Sequence, residues 1–220
     1  MNNSRFSFKY VVLEILIVIV GISIAFWVNN WGEERKERRL EKEFLKTLQS
    51  ELATDSTAFH AQVKNGKLSL KYLEQFVELC REEDYDNDSL QWYVGMFLNR
   101  GNWVVNSNTY EMLKSGGKLD IITDFELRNA ISVFYHIRAL QSSKMLEIVQ
   151  TFMDNQMDPY LVKNSDYYIS YKPNTDFVKD PEFQNLLVLW TELSEAKLGI
   201  YEGTLQDIKV LIAMLAASLE

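Results

Sequence analysis

Apolar residues run along this chain in two regimes, one continuous and one periodic. Residues 10–28, YVVLEILIVIVGISIAFWV, are almost wholly apolar; rising about 1.5 Å per residue as a helix they reach roughly 28 Å, close to the hydrocarbon thickness of a bilayer. From Leu45 a step of seven passes Leu52, Phe59, Gly66, Leu73 and Cys80, with Leu48, Val63, Leu70, Phe76 and Val77 filling the three- and four-residue offsets. That spacing predicts an amphipathic helix. The charged stretch Glu33 to Glu43 between the two regimes holds no helix breaker, so the span is expected to continue outward as the same rod. Bending is expected around Asn30 to Gly32, and an interruption at Asn65-Gly66.

Caps and stops delimit the remaining elements. Asp84 to Ser89 reads as a loop, with Asp88 or Ser89 capping a short helix through Trp92 to Leu98. Ser107 starts another, TYEMLK, closed at Ser115-Gly116-Gly117, where a glycine takes the left-handed conformation. Thr123 and Glu126 form a capping box that opens a longer helix carrying Leu127, Ile131, Phe134, Ile137, Leu140, Leu146, Val149 and Met153. It is expected to stop before Asp158-Pro159. Residues 158–179 read as irregular, with room for a short hairpin. Asp180 as N-cap and Pro181 at the first helical position open the last helix, whose apolar stripe runs from Phe183 through Trp190 and Ile208 to Leu219. The predicted fold is all-α, an N-terminal transmembrane helix continuing into an elongated antiparallel helical bundle. Residues 1–9 form a short basic head, 10–28 the transmembrane helix and 29–220 the bundle domain.

Phe26, Trp27 and Trp31 at one end of the span and Phe6, Phe8 and Tyr10 at the other are the amphipathic rings that favour a membrane interface. Ser23-Ile24-Ala25 also resembles the small-x-small site of a cleaved signal peptide. Glu14 inside the run and the bulky Phe26-Trp27 after the cut argue for an uncleaved anchor. The charges give two answers on orientation. Arg5 and Lys9 precede the span, while Arg35, Lys36, Arg38, Arg39, Lys42 and Lys46 follow it, which by the positive-inside rule keeps the large domain cytoplasmic. Interleaved glutamates and the signal-anchor layout favour the opposite, a periplasmic domain on a single-pass anchor.

Composition narrows the function. The chain is 47% hydrophobic and 25% charged, which fits a folded domain of about 190 residues outside the span. A net charge of −8 disfavours nucleic acid as a partner. Cys80 is the single cysteine, so no intramolecular disulfide exists, and buried filler is its expected role. Asp84-Tyr85-Asp86-Asn87-Asp88 begins like a calcium loop, but Ser89 stands where glycine is needed and Gly95 where a bidentate Glu belongs. His60 and His136 lack the Glu-x-x-His arrangement of a di-iron bundle. Gly116-Gly117-Lys118 lacks the upstream glycine of a phosphate loop. Trp92, Tyr93, Phe97, Trp103 and Tyr110 read as core aromatics, with a ligand pocket as the alternative. No nucleophile stands in a recognisable setting, so no catalytic residue, cofactor or metal ligand is assigned and the chain is not read as an enzyme.

Three residues in the span are candidate contacts. Glu14 is a carboxyl in an apolar run, a placement that often marks a partner or an ion path, although it lies about one turn from Tyr10 and the interface. Gly21 and Ala25 form a small-xxx-small step that lets two helices approach closely.

Several segments together resemble a family of uncharacterised single-span proteins of Bacteroidota, in which a short basic head precedes a glutamate-bearing span. They are Glu14-Ile15, Val20-Gly21-Ile22, Ile24-Ala25 and Asn29-Asn30-Trp31 with Glu33-Glu34-Arg35-Lys36. A second set is Thr109-Tyr110-Glu111 through Leu113-Lys114, then Gly117-Lys118-Leu119 and Ile122. The resemblance implies a bacterial inner-membrane location and carries no activity. The expected function is therefore a membrane-anchored interaction or scaffold protein of the cell envelope, touching lipid and a protein partner or a second copy of itself. The alternative is an extracytoplasmic ligand-sensing bundle that signals through a partner.

Overall fold

The computed structural model describes residues 8–98 and 100–220. Arg5, Phe6 and most of the basic head lie outside the described residues, as do the side chains of Phe8 and Lys9.

Helix α1, Phe8–Arg81, runs 74 residues without a break, about 110 Å at the helical rise. Its partner α7, Pro181–Leu219, has 39 residues and returns antiparallel to it. Lys42 Nζ donates to Leu219 O at 3.2 Å, which fixes the end of α7 a little short of halfway along α1. Among the described residues, side chains 12–39 are all exposed, and the first buried one is Leu45.

Two more columns complete the bundle. Beyond α1 the chain descends through α2, Leu90–Met96, an extended loop, and α3, Asn108–Ser115. It then ascends through α4, Phe125–Phe134, α5, Leu140–Phe152, and α6, Asp158–Asn164. These last three are one continuous helical column, joined by π turns at Tyr135–Ala139 and Met153–Met157. The result is an up-down-up-down arrangement whose second column is broken. No strand occurs among the described residues, and the bundle with its long outer pair is the architecture predicted from the sequence.

Four local expectations are corrected. Asn65-Gly66 does not interrupt α1, because Gly66 meets a packing need: a Cβ there would stand 3.2 Å from Leu198 Cδ1 on α7. The cap of α4 is Asp124, whose carboxylate accepts from Leu127 N at 3.1 Å. Thr123 faces α1 instead, its backbone N–H and hydroxyl both donating to Glu41 Oε1 at 2.6 and 2.9 Å. The third column passes Pro159 without stopping, since Asp158 N already bonds Met153 O in the wider π turn and the proline's missing N–H falls at the start of α6. No hairpin forms at 165–180; Asp166 ties that loop instead, its carbonyl accepting from Ile169 N and Ser170 N and its carboxylate from Asn174 N. The Asp180 cap of α7 is as expected, accepting from Glu182 N at 2.9 Å.

Two helix ends share one hydrogen-bond pattern. At α3, Lys118 N bonds Leu113 O and Gly117 N bonds Lys114 O, with Gly117 at φ 63°. At α1, Asp84 N bonds Leu79 O and Glu83 N bonds Cys80 O, with Glu83 at φ 56°. Both are Schellman closures, and only the first places glycine at the left-handed position. A side chain there costs on the order of 1 kcal/mol. Glu83→Gly is therefore expected to raise unfolding stability by about 1 kcal/mol, read as a higher urea midpoint at unchanged slope.

Candidate functional site

The bundle core is two apolar clusters, not one. The cluster nearer the N-terminus of α1 includes Leu45, Leu48, Leu52, Phe59, Ile131, Ile208 and Leu215. The distal one includes Leu73, Phe76, Phe97, Met157, Phe183 and Trp190. Between Phe59 and Leu73 no α1 side chain is fully buried, and between Trp190 and Leu198 of α7 only Lys197 is. This is the level at which the second column opens into the loop between Phe97 and Ser107. A loop there carries backbone groups that must be paired. The waist is therefore polar.

Side chains from the two long helices hold the loop. Trp190 Nε1 donates to Phe97 O at 2.9 Å, and Lys197 Nζ to Gly101 O at 3.3 Å. Trp103 N donates to Tyr201 Oη at 3.0 Å. Asp55, 0% exposed, accepts from Trp103 Nε1 at 3.0 Å and from Asn106 N at 2.9 Å. One turn earlier, Glu51 Oε1 accepts from the Thr109 hydroxyl at 2.8 Å. Tyr135 stacks on Tyr110 with ring centroids 4.5 Å apart. Outside, Arg100 and the Tyr168 hydroxyl both donate to Asp158, latching the loop to the third column.

Burial sets the electrostatics. It raises the Asp55 carboxyl above its ordinary value, against the opposing pull of its bonds from Trp103 and Asn106. Burial, then the charges of Glu51 and Asp55, raises Tyr135, which keeps its phenol neutral. Burial lowers Lys197, whose ammonium lies 5.5 Å from the centre of the Trp190 ring. Burial pushes the Cys80 thiol up to about 11, so it is inert filler.

The candidates read from sequence lie elsewhere. Glu14, Gly21 and Ala25 sit on the exposed third of α1. Seven and eleven residues apart on a helix of about 3.6 per turn, they share one face. An added Cβ at Gly21 would meet nothing within 4 Å. The aromatic group does not converge on one pocket. Phe97 and Tyr110 are buried in different clusters, Tyr93 stacks on Phe76, Trp92 is exposed, and Trp103 belongs to the waist. Among the described residues no group of three His, Cys, Asp or Glu is placed to hold a metal. His60 and His136 are exposed, and Asp84 only braces its own turn through Asn87.

Asp55 and Lys197 were not singled out from sequence, yet both carry a signal. Asp55 falls seven residues after Leu48 on the core stripe of α1, and Lys197 seven after Trp190 on that of α7. A charge at a core position marks a polar layer.

Replacing Asp55 by Ala strands the Trp103 and Asn106 donors and is expected to cost about 2 kcal/mol, read in urea unfolding. The pH dependence has a definite sign. A carboxyl whose pKa is raised on folding stabilises fully below its unfolded value of 3.8, and that contribution is lost as pH rises through the folded value. Wild-type stability relative to Asp55→Asn is thus expected to be greater at pH 4 than at pH 7.

A family model described as a family of unknown function (DUF6090) matches residues 14–190. No curated protein and no solved structure matches.

Proposed function

This chain belongs to that family of unknown function, and with membership as the premise we propose that it is a membrane-anchored interaction or scaffold protein of the bacterial cell envelope, without catalytic activity. The observation that carries the proposal is the composition and exposure of α1. One unbroken helix is long and apolar enough near its N-terminus to cross a membrane, with mean hydropathy 2.4 over its most apolar window, none of it buried in the bundle. An apolar helix face of that length is stable in lipid or against another apolar surface, and costly in water. Residues 29–39 then form an exposed charged stalk, about 16 Å long at the helical rise. Trp31 sits at its base with Arg35 5.2 Å from the ring centre.

The bundle offers binding surface more than binding volume. Val133, Ile137 and Val210 are exposed along one groove between the third column and α7, and Ile148 along a second between the same helices. Exposed apolar residues gathered in this way suit a protein partner or a second copy. The interior cavity at the waist is about 20 Å³, far below the few hundred Å³ of a small-molecule site, and the larger volumes, about 430 and 610 Å³, belong to these open grooves. That favours scaffolding over the sensing alternative. The Bacteroidota inner membrane, with the bundle in the periplasm, remains the proposed location, and contact through Glu14, Gly21 and Ala25 the proposed route of association within the bilayer.

Three measurements test this reading. The intact chain is expected to stay with vesicles through an alkaline carbonate wash; release overturns the anchor. Alkaline phosphatase fused after Glu220 is expected to be active, and a fluorescent cytoplasmic reporter in its place reverses the orientation. Tagged protein drawn from native membranes is expected to bring a reproducible partner or a second copy. Glu14→Gln or Ile137→Glu is expected to reduce that recovery several-fold.

A further inference from the structure

The polar waist holds a charge that the bundle does not balance. Lys197 is 8% exposed. Among the described residues no carboxylate pairs with it: its ammonium donates to Gly101 O at 3.3 Å and faces the Trp190 ring. The acids of the same level are engaged elsewhere, Asp55 with Trp103 and Asn106, and Glu51 with Thr109. Glu202, on the outer side of α7, pairs with Lys67 at 2.7 Å.

A buried cation without a partner is costly, by several kcal/mol even after relaxation. The group then loses its proton or acquires a counter-ion. Two features favour the second course. An aromatic face over the amine stabilises its charged form. Lys197 also lines a cavity between α1 and α7, together with Gln62, Ser194 and Tyr201, whose volume of about 20 Å³ suits a single water-sized guest. Gln62 and Ser194 add polar side chains beside Lys197 to a wall that Leu73, Trp190 and Leu198 otherwise make apolar. A small, largely apolar niche with one buried positive charge suits a small, weakly hydrated anion.

We propose that the waist cavity binds one small monovalent anion, of the size and charge of chloride, as the counter-ion of Lys197. Burial lowers the pKa of the amine, and an anion held beside it opposes that effect. Tetrahedral oxyanions exceed the space. The bound ion ties α1, α7 and the loop carbonyl of Gly101 together where the core has its least apolar contact. This inference stands independently of the anchoring and partner proposals above.

The test uses the full chain in detergent micelles, with potassium fixed and chloride exchanged for gluconate. Binding to the folded state shifts the folding equilibrium tenfold for each tenfold rise in anion above its dissociation constant. The wild-type melting temperature is expected to rise with chloride, and Lys197→Met to show no such rise. Crystals grown in bromide are expected to show one anomalous peak beside Lys197 Nζ. Equal melting in chloride and gluconate for the wild type, or the same rise in the variant, overturns the proposal. Should Lys197→Met not fold, Ser194→Leu fills the cavity and leaves the amine in place. Loss of the chloride response there supports the site, and its persistence overturns it.

Discussion

Everything in this molecule is organised around one uninterrupted helix that is apolar all round near one end and amphipathic at the other. The first third of α1 has apolar side chains all round, which a helix tolerates only where its surroundings are apolar on every side. The last half has a stripe repeating every seven residues, which requires a partner helix along one side. No glycine or proline breaks the transition, so the direction of the span and that of the bundle axis are mechanically one. The charged residues between them keep the helix solvated short of the level that α7 covers. Lys42 bonded to Leu219, and Glu41 bonded to Thr123, mark where the second regime begins.

The same pairing of long helices explains the split core. A seven-residue repeat keeps α1 and α7 in contact along their shared length, and the third column follows them with two π turns that re-phase its apolar face. The second column contributes only short helices at its ends. Its middle is loop, and the loop's N–H and C=O groups face the α1–α7 seam. Apolar side chains at that level would leave those groups unpaired, at a cost of about 1–3 kcal/mol each. Asp55, Lys197, Tyr201 and the Trp190 indole occupy those core positions, so the polar waist is the complement of the broken column.

This also explains which features were legible in sequence. The heptad step from Leu45 to Cys80 and the Asp180-Pro181 start were readable because each is a local pattern with one physical solution. Asn65-Gly66 was misread because a turn dipeptide and a close-packing glycine are written with the same letters; Leu198, 132 residues later, decides between them. Pro159 was read as a stop on the assumption of α-helical bonding, and a π turn removes the need for the bond the proline cannot donate. The candidate residues of the span were visible because an apolar run makes Glu14 and Gly21 conspicuous. Asp55 and Lys197 were not conspicuous, since acids and lysines are common along solvated helices. Only the phase of the stripe sets them apart.

That difference bears on how the two regions act. Glu14, Gly21 and Ala25 meet no part of their own bundle, so what they do depends on lipid or on a second molecule. The waist residues are satisfied almost entirely within the chain, and among the described residues the buried side-chain oxygens without a partner, Glu51 Oε2, Asn102 Oδ1 and Tyr135 Oη, belong to the same polar region. A region that concentrates buried charge is where a helical bundle is least stabilised by apolar contact and most sensitive to small solutes and protons. Because α1 runs from that region to its apolar N-terminal stretch without a break, the waist and the exposed stretch are parts of one helix.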